Sequence, residues 1–387
     1  MTAAEVIDPN VQGTCDPAFA AVRDALERNF TERGEIGSAV CIYHQGQKVV
    51  DLWGGHQDAA RTIPWREDTM CIFYSIAKSL CALCVHILAD RGLVDLEAPV
   101  ADYWPEFAQN GKEAVKVRHI ISHHCGVCFN DAADAGDIFD YDKMIRVLEV
   151  QELAWPPGTK GAYNTVNFGY LAGEVVRRVT GLPIRQFLRE NVCEPLGADY
   201  KIGVDEADLE RVADISPNPE GFSMASKAGP DSPLLRAWTA MPKPFDTAAH
   251  NTAEFRTAGI PSFGGFGTAR AMARIYAALA NGGEIDGVRL LSAGAIARAT
   301  ADQWEDKADG TTGQPMRISM GFWKNMDGRM LMGPNPEAFG HYGSGGARAL
   351  ADPDRNLALA YVTNLQSEGL GTGVRTEAVV EAAFKEV

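Results

Sequence analysis

The feature that most constrains this fold is strand texture at both ends of a chain whose middle is helical. Near the start, residues 17–34 carry apolar residues at helical spacing and stop at Gly34. Two β-rich runs follow, 38–43 and 48–53, flanking a Gln45-Gly46 turn, which predicts a hairpin. At the far end, RISMGFWKN, RALADP and NLALAYVTN read as strands, and TEAVVEAAFKEV reads as a closing helix. Between them lie helical runs at 75–91, 117–127, 167–181, 184–197 and 268–281. The stretch 199–258 is irregular and proline-punctuated, the kind of long excursion that serves a site or holds short elements. Matching texture at the two ends predicts one discontinuous sheet domain, since chain termini often meet in space. The expectation is an α/β domain from 1–85 and 310–387, with a mainly helical domain, 86–309, inserted. At 387 residues the chain is long enough for both.

Charge narrows the partners. The net charge is −15, from 36 basic and 51 acidic side chains, which repels phosphate backbones and anionic membranes. No apolar run reaches the roughly 18 residues a spanning helix needs. MTAAEVIDPNVQG lacks the basic start and apolar core of a signal peptide, so a cytoplasmic setting is expected. Eight cysteines in such a chain read as thiols. Cys81/Cys84 and Cys125/Cys128 have CxxC spacing and together would supply four zinc thiolates. Cys81 and Cys84, however, share an apolar helical run, where small thiols are ordinary core residues. His123 and His124 in the adjacent turn read as capping and packing residues. No metal or organic cofactor is expected.

FYSIAKSL, residues 73–80, holds the most chemistry in the fewest residues. Ser75 falls where a helix begins, and Lys78, three residues on, shares its face. The helix N-terminus would steady an alkoxide at Ser75. The apolar surroundings and the dipole would both lower the lysine pKa, leaving a neutral amine able to take the serine proton. The plain alternative is a helix cap at Ser75 and a lysine that snorkels to solvent. No GxSxG elbow, HExxH, phosphate loop or dinucleotide fingerprint is present.

With its continuation ADRGLVDLEAPVADYWPEF, this stretch resembles the serine β-lactamase and penicillin-binding-protein superfamily, most closely the class C branch and the family VIII carboxylesterases. VRHIISHHCGV, WPPGTKGAYNTVNFGYLAGEVV, GIPSFGGFGTARAMARIYAALANGG and FGHYGSGGARALADPDRNLALAYVTN match further motifs of that superfamily, in order, across residues 36–364. The resemblance implies a β-lactamase-like fold, an antiparallel sheet flanked by helices, with the site at the junction with the helical domain. It implies Ser75 as nucleophile and Lys78 and Tyr163 as general base and acid, which of the two is the base being left open. The amides of Ser75 and Ser344 would form the oxyanion hole. His341 stands where many relatives have lysine and would donate toward Tyr163; Gly343 would let substrate approach the strand edge. Thr165 takes the place of an asparagine that contacts β-lactam amides, with Asn167 as a substitute. Phe263, Phe266, Phe322 and Trp323 are candidate pocket walls. The expected activity is hydrolysis of small-molecule carboxylic esters through an acyl-enzyme. A β-lactamase, D-peptidase, amidase or acyltransferase using the same residues is the first alternative. A non-catalytic binding protein is the second.

Overall fold

Two consecutive residues in the left-handed region, Gln45 (φ 50°) and Gly46 (φ 74°), make the turn on which the main sheet is built. Such turns carry a backbone twist that matches the right-handed twist of the strands they join. In this computed structural model, residues 10–221, 229, 231–369 and 373–385 are described. The stretch 1–9 and part of the irregular segment, 222–228 and 230, lie outside the described residues.

The N-terminal part supplies β1 (Gln12–Cys15), the hairpin β2 (Gly37–His44) and β3 (Gln47–Gly55), and β4 (Cys71–Ile72). The middle supplies β5 (Tyr200–Ile202), β6 (Gly265–Gly267) and a small hairpin, β7 (Glu284–Ile285) and β8 (Val288–Arg289). The C-terminal part supplies β9 (Trp304–Asp306), β10 (Met316–Ile318), β11 (Trp323–Lys324), β12 (Phe339–Tyr342), β13 (Arg348–Asp352) and β14 (Leu357–Thr363). Nine of these form one antiparallel sheet in the order β1-β3-β2-β14-β13-β12-β11-β10-β9. The two chain ends join where β14 pairs with β2, Thr363 opposite Ser38 and Leu357 opposite His44. The sheet assembled from both ends of the chain is therefore the one the strand texture predicts.

Alternation along β14 sorts the two faces. Leu357, Leu359 and Tyr361 join Val40, Ile42, Val50 and Leu52 under helix α1 (Ala20–Glu32) and the C-terminal helix Val374–Ala383. Ala358, Ala360 and Val362 join Ala39, Cys41, Ala349 and Ala351 on the opposite face. Those small side chains let the alanine-rich helix Ala269–Ala280 lie across β2, β13 and β14. This packing revises the expected boundary: the 269–280 helix, assigned to the helical insertion 86–309, lies on the sheet, and Trp304–Asp306 is the sheet's edge strand.

Helix α2 (Ile76–Asp90) is buried from Ile76 to Leu88 on every side, as expected of a helix apolar all round. It packs on β12 on one side and on α5 (Asn167–Thr180) on the other. Two shorter helices, α3 (Val117–Ile121) and α4 (Tyr141–Val150), pack against α5. The N-terminus of α2 thus opens where the sheet meets the helical layer. None of the described helices is long and apolar enough to cross a membrane.

Candidate active site

Tyr74 enters α2 in the left-handed region (φ 47°), an uncommon conformation for a bulky residue that costs on the order of 1–2 kcal/mol. It is held by a hydrogen bond between its hydroxyl and His250 Nδ1 at 3.2 Å, and by the glycines of the β12–β13 turn. A Cβ on Gly343 would stand 2.6 Å from the Phe73 carbonyl oxygen, and one on Gly345 would stand 2.8 Å from the Tyr74 ring. These glycines seat the turn against the residues that precede Ser75. That is a different role for Gly343 from the expected one of admitting substrate to a strand edge.

Ser75 does not cap its helix: its side chain makes no capping hydrogen bond. Its hydroxyl instead accepts from Lys78 Nζ at 3.1 Å. Lys78 is fully buried, so the snorkelling alternative fails. Its second partner is the Ser262 carbonyl, 3.0 Å away. Burial pushes the amine from its ordinary 10.5 down to about 7, against a small opposing effect of Cys81. No carboxylate among the described residues pairs with it. An amine of this kind exchanges its proton near neutrality.

Tyr163 brings the phenol to the same place. Lys78 Nζ lies 5.1 Å from the centre of its ring, and its hydroxyl lies beside that of Ser75 without a hydrogen bond of ordinary geometry. Burial pushes its pKa well above 10, an effect the Ser75 hydroxyl partly offsets and Tyr342 and Asp309 reinforce. The burial of His123 and His341 holds both imidazoles neutral, His341 down to about 3, with Lys78 adding to each shift. His341 Nδ1 sits 2.8 Å from the Tyr342 carbonyl, which only accepts, so Nδ1 carries the hydrogen. Its Nε2, which has no protein partner among the described residues, is then a hydrogen-bond acceptor, where donation toward Tyr163 was expected.

Two amides complete the arrangement. Those of Ser75 and Ser344 hydrogen-bond to no other described residue, while the neighbouring Gly343 amide is used, donating to Ala347 at 2.8 Å. Both residues line one cleft with Tyr163, Thr165, Tyr74, Leu234, Trp238, Pro244, Phe245, His250, Phe263 and Gln366. Its open volume is about 40 Å³, a narrow slot.

The remaining expectations divide. Thr165 lines the cleft with an unpartnered hydroxyl. Asn164 points away, its amide on the Cys125 sulfur at 3.3 Å. Asn167 is withdrawn as a substrate contact: it donates to Val127 and Phe129 carbonyls at 3.1 and 2.7 Å and accepts from Asn130 at 3.1 Å. Of the four aromatic candidates only Phe263 lines the cleft. Phe266 is buried in the β4–β6–β5 sheet, and Phe322 packs against Tyr276 and Phe339. Trp323 backs the Tyr163 ring at 5.7 Å. Cys81 donates to the Pro261 carbonyl at 3.3 Å, and all eight cysteines are free thiols.

Ser262 and Asp309, which hold the site, went unread in the sequence, and His123, read as a capping and packing residue, packs against the Tyr163 ring. Ser262 fixes Lys78 and also ties Gly169 (2.7 Å) and the Val166 carbonyl. The His123 ring stacks 4.6 Å from that of Tyr163, and its Nδ1 accepts from the Asn164 amide at 2.9 Å. Asp309, buried, accepts from the Tyr163 and Thr311 amides, both at 2.9 Å, and from Thr312 and Gln314. Asp followed by Gly-Thr-Thr-Gly was its only sequence signal, that of a turn built on a side-chain oxygen. A larger cavity of about 620 Å³, beside Arg185 and Lys201, shares no residue with the cleft, and those cations are paired with Asp205.

Comparison with known proteins finds relatives in sequence and in overall fold. A family model described as Beta-lactamase matches residues 23–384. The chain is 35% identical over 371 residues to Esterase/beta-lactamase LipL of Mycobacterium tuberculosis, covering 92% of this chain and 83% of that protein. It is 28% identical over 265 residues to Esterase EstB of Burkholderia gladioli, covering 63% and 64%. A solved family VIII carboxylesterase superposes with a TM-score of 0.90 at 39% identity, over 98% of this chain and 100% of that one. A penicillin-binding-protein homologue from Caulobacter crescentus superposes at 0.88 with 36% identity, over 98% and 100%.

Proposed function

The chain belongs to the beta-lactamase family, and from that premise we propose that it is a carboxylesterase-type serine hydrolase working through an acyl-enzyme on Ser75. The observation that carries this reading is the 3.1 Å contact between the Ser75 hydroxyl and a fully buried lysine whose pKa has fallen to about 7. The esterase relatives and the carboxylesterase neighbour support it.

In the proposed cycle, neutral Lys78 takes the proton as Ser75 Oγ attacks the ester carbonyl. The amides of Ser75 and Ser344 hold the resulting oxyanion, commonly the largest single contribution in acyl transfer. Tyr163, whose phenol burial keeps protonated, gives its proton to the departing alkoxide and is reprotonated from Lys78. Water then attacks the acyl-enzyme through the same groups in reverse. The opposed pKa shifts favour Lys78 as base and Tyr163 as acid, the assignment the sequence left open.

Esters fit better than β-lactams. No Lys, Arg, Asp or Glu is among the described residues lining the cleft, and the position that offers lysine to a substrate carboxylate in many relatives holds neutral His341. The test is a kinetic panel of p-nitrophenyl esters of rising chain length, a cephalosporin and a D-amino-acid amide. The reading expects kcat/KM for the best ester to exceed that for the cephalosporin and for the amide. Faster turnover of the cephalosporin or the amide would replace it.

A further inference from the structure

The cleft has a second side that the proposed cycle does not use. His250 lines it and is 6% exposed, while its Nε2 has no protein partner among the described residues. Trp238 and Thr165, also in the wall, have Nε1 and Oγ1 equally unpartnered. Unpaired buried polar groups are rare and costly, about 1–3 kcal/mol each. Three in the lining of one cleft mark a surface built to receive something polar.

The hydrogen positions on His250 follow from its neighbour. The Tyr74 hydroxyl has His250 Nδ1, at 3.2 Å, as its only protein hydrogen-bond partner among the described residues. If Nδ1–H donated to the phenol oxygen, the phenol hydrogen would be left buried and unpaired. Donation from Tyr74 to Nδ1 satisfies both groups and places the imidazole hydrogen on Nε2. Burial pushes His250 down to about 4, so the ring is neutral and Nε2–H is a donor without a charge. Its ring packs against those of Tyr74 and Phe255, and Phe263, Trp238 and Phe245 line the same cleft.

We propose that Tyr74 and His250 form a selectivity subsite in which His250 Nε2–H, with Trp238 Nε1–H in the lining of the same cleft, receives a neutral oxygen acceptor on a flat apolar group of the ester. A ketone, ether or second ester oxygen has that chemistry. A carboxylate does not, because no cation among the described liners would compensate its desolvation. Tyr74 precedes the nucleophile directly, so the same residue that shapes the entry to α2 orients the donor. This inference rests on the hydrolase reading and names the substrate class for it.

The experiment measures kcat/KM for two matched ester pairs. In the acyl series, 4-nitrophenyl 4-acetylbenzoate is compared with 4-nitrophenyl 4-isopropylbenzoate. In the leaving-group series, 4-acetylphenyl butyrate is compared with 4-isopropylphenyl butyrate. The readout is the acceptor-to-isopropyl ratio in each variant divided by that in the parent protein, which cancels intrinsic reactivity. The inference expects His250→Leu to lower the ratio by at least ~10-fold in one series, which corresponds to ~1.4 kcal/mol. His250→Gln, which keeps a donor near Nε2, should restore most of it, and Tyr74→Phe should lower it part of the way. A ratio unchanged within about twofold in both His250→Leu and Tyr74→Phe, in both series, overturns the inference. Should His250→Leu not fold, Tyr74→Phe decides alone. Turnover of no ester by the parent protein would remove the hydrolase reading itself, a result distinct from an unchanged ratio.

Discussion

Replacing Lys78 by methionine should make this protein more stable while removing its activity. The folded-state amine titrates at about 7 against an ordinary 10.5. Between those values the unfolded chain binds the proton and the folded chain does not, so stability rises with pH across the window. Each tenfold loss of proton affinity on folding corresponds to about 1.36 kcal/mol, so the burden of burying this amine is ~4–5 kcal/mol at pH 7 and below and ~2 kcal/mol at pH 9. Methionine fills a similar volume without that burden. It forfeits the hydrogen bonds to Ser75 Oγ and the Ser262 carbonyl, together ~2 kcal/mol. The variant should therefore exceed the parent by ~2 kcal/mol at pH 7 and match it near pH 9. Thermal or urea unfolding of both proteins at the two pH values measures this, and ester turnover should fall by at least ~10². A stability difference that stays flat between pH 7 and 9, or a less stable variant at pH 7, would refute the neutral-amine argument.

The same titration sets the pH profile: log(kcat/KM) should climb with unit slope below about 7, level off above it and show no fall below pH 9, because Tyr163 is held protonated well above its ordinary range. Gly343→Ala should lower kcat by ~10-fold or more with little change in KM, because the new Cβ meets the Phe73 carbonyl at 2.6 Å and moves the Ser344 amide, a site where losing a donor costs ~10²–10³. Asp309→Asn should lower kcat by ~10-fold: with Oδ1 kept on the Tyr163 and Thr311 amides, the new amide group faces the Thr312 and Gln314 donors, which then lack an acceptor, ~1–3 kcal/mol lost from the turn that carries Asp309 to the Tyr163 backbone. Steady-state kinetics with a single ester separates kcat from KM in both variants.

The sheet was legible because its signals are local. Gln45-Gly46 fixes a hairpin by its own backbone preference, and the LALAYVT alternation marks a strand with two different faces. The home of the 269–280 helix was not legible, since an alanine-rich helical period does not say which surface it will meet. The three-residue spacing of Ser75 and Lys78 implies their contact through helix geometry alone. Tyr163 came only through the resemblance, because the contacts that place its ring and backbone come from residues remote in sequence, His123, Asp309 and Trp323. The cleft wall at Leu234, Trp238 and His250 lies in the aperiodic 199–258 stretch, where no repeat tells inward from outward. Phe266, Phe322 and Trp323 misled for a related reason: composition marks an aromatic residue but not the side of the strand from which it projects.

The most direct test is to trap the intermediate. The protein is mixed with an excess of a slowly deacylating ester, quenched in acid, digested and mapped by mass spectrometry. The account predicts the acyl mass on the peptide containing Ser75, and neither adduct nor turnover in Ser75→Ala. An adduct on another residue, or ester hydrolysis that survives Ser75→Ala, would contradict it.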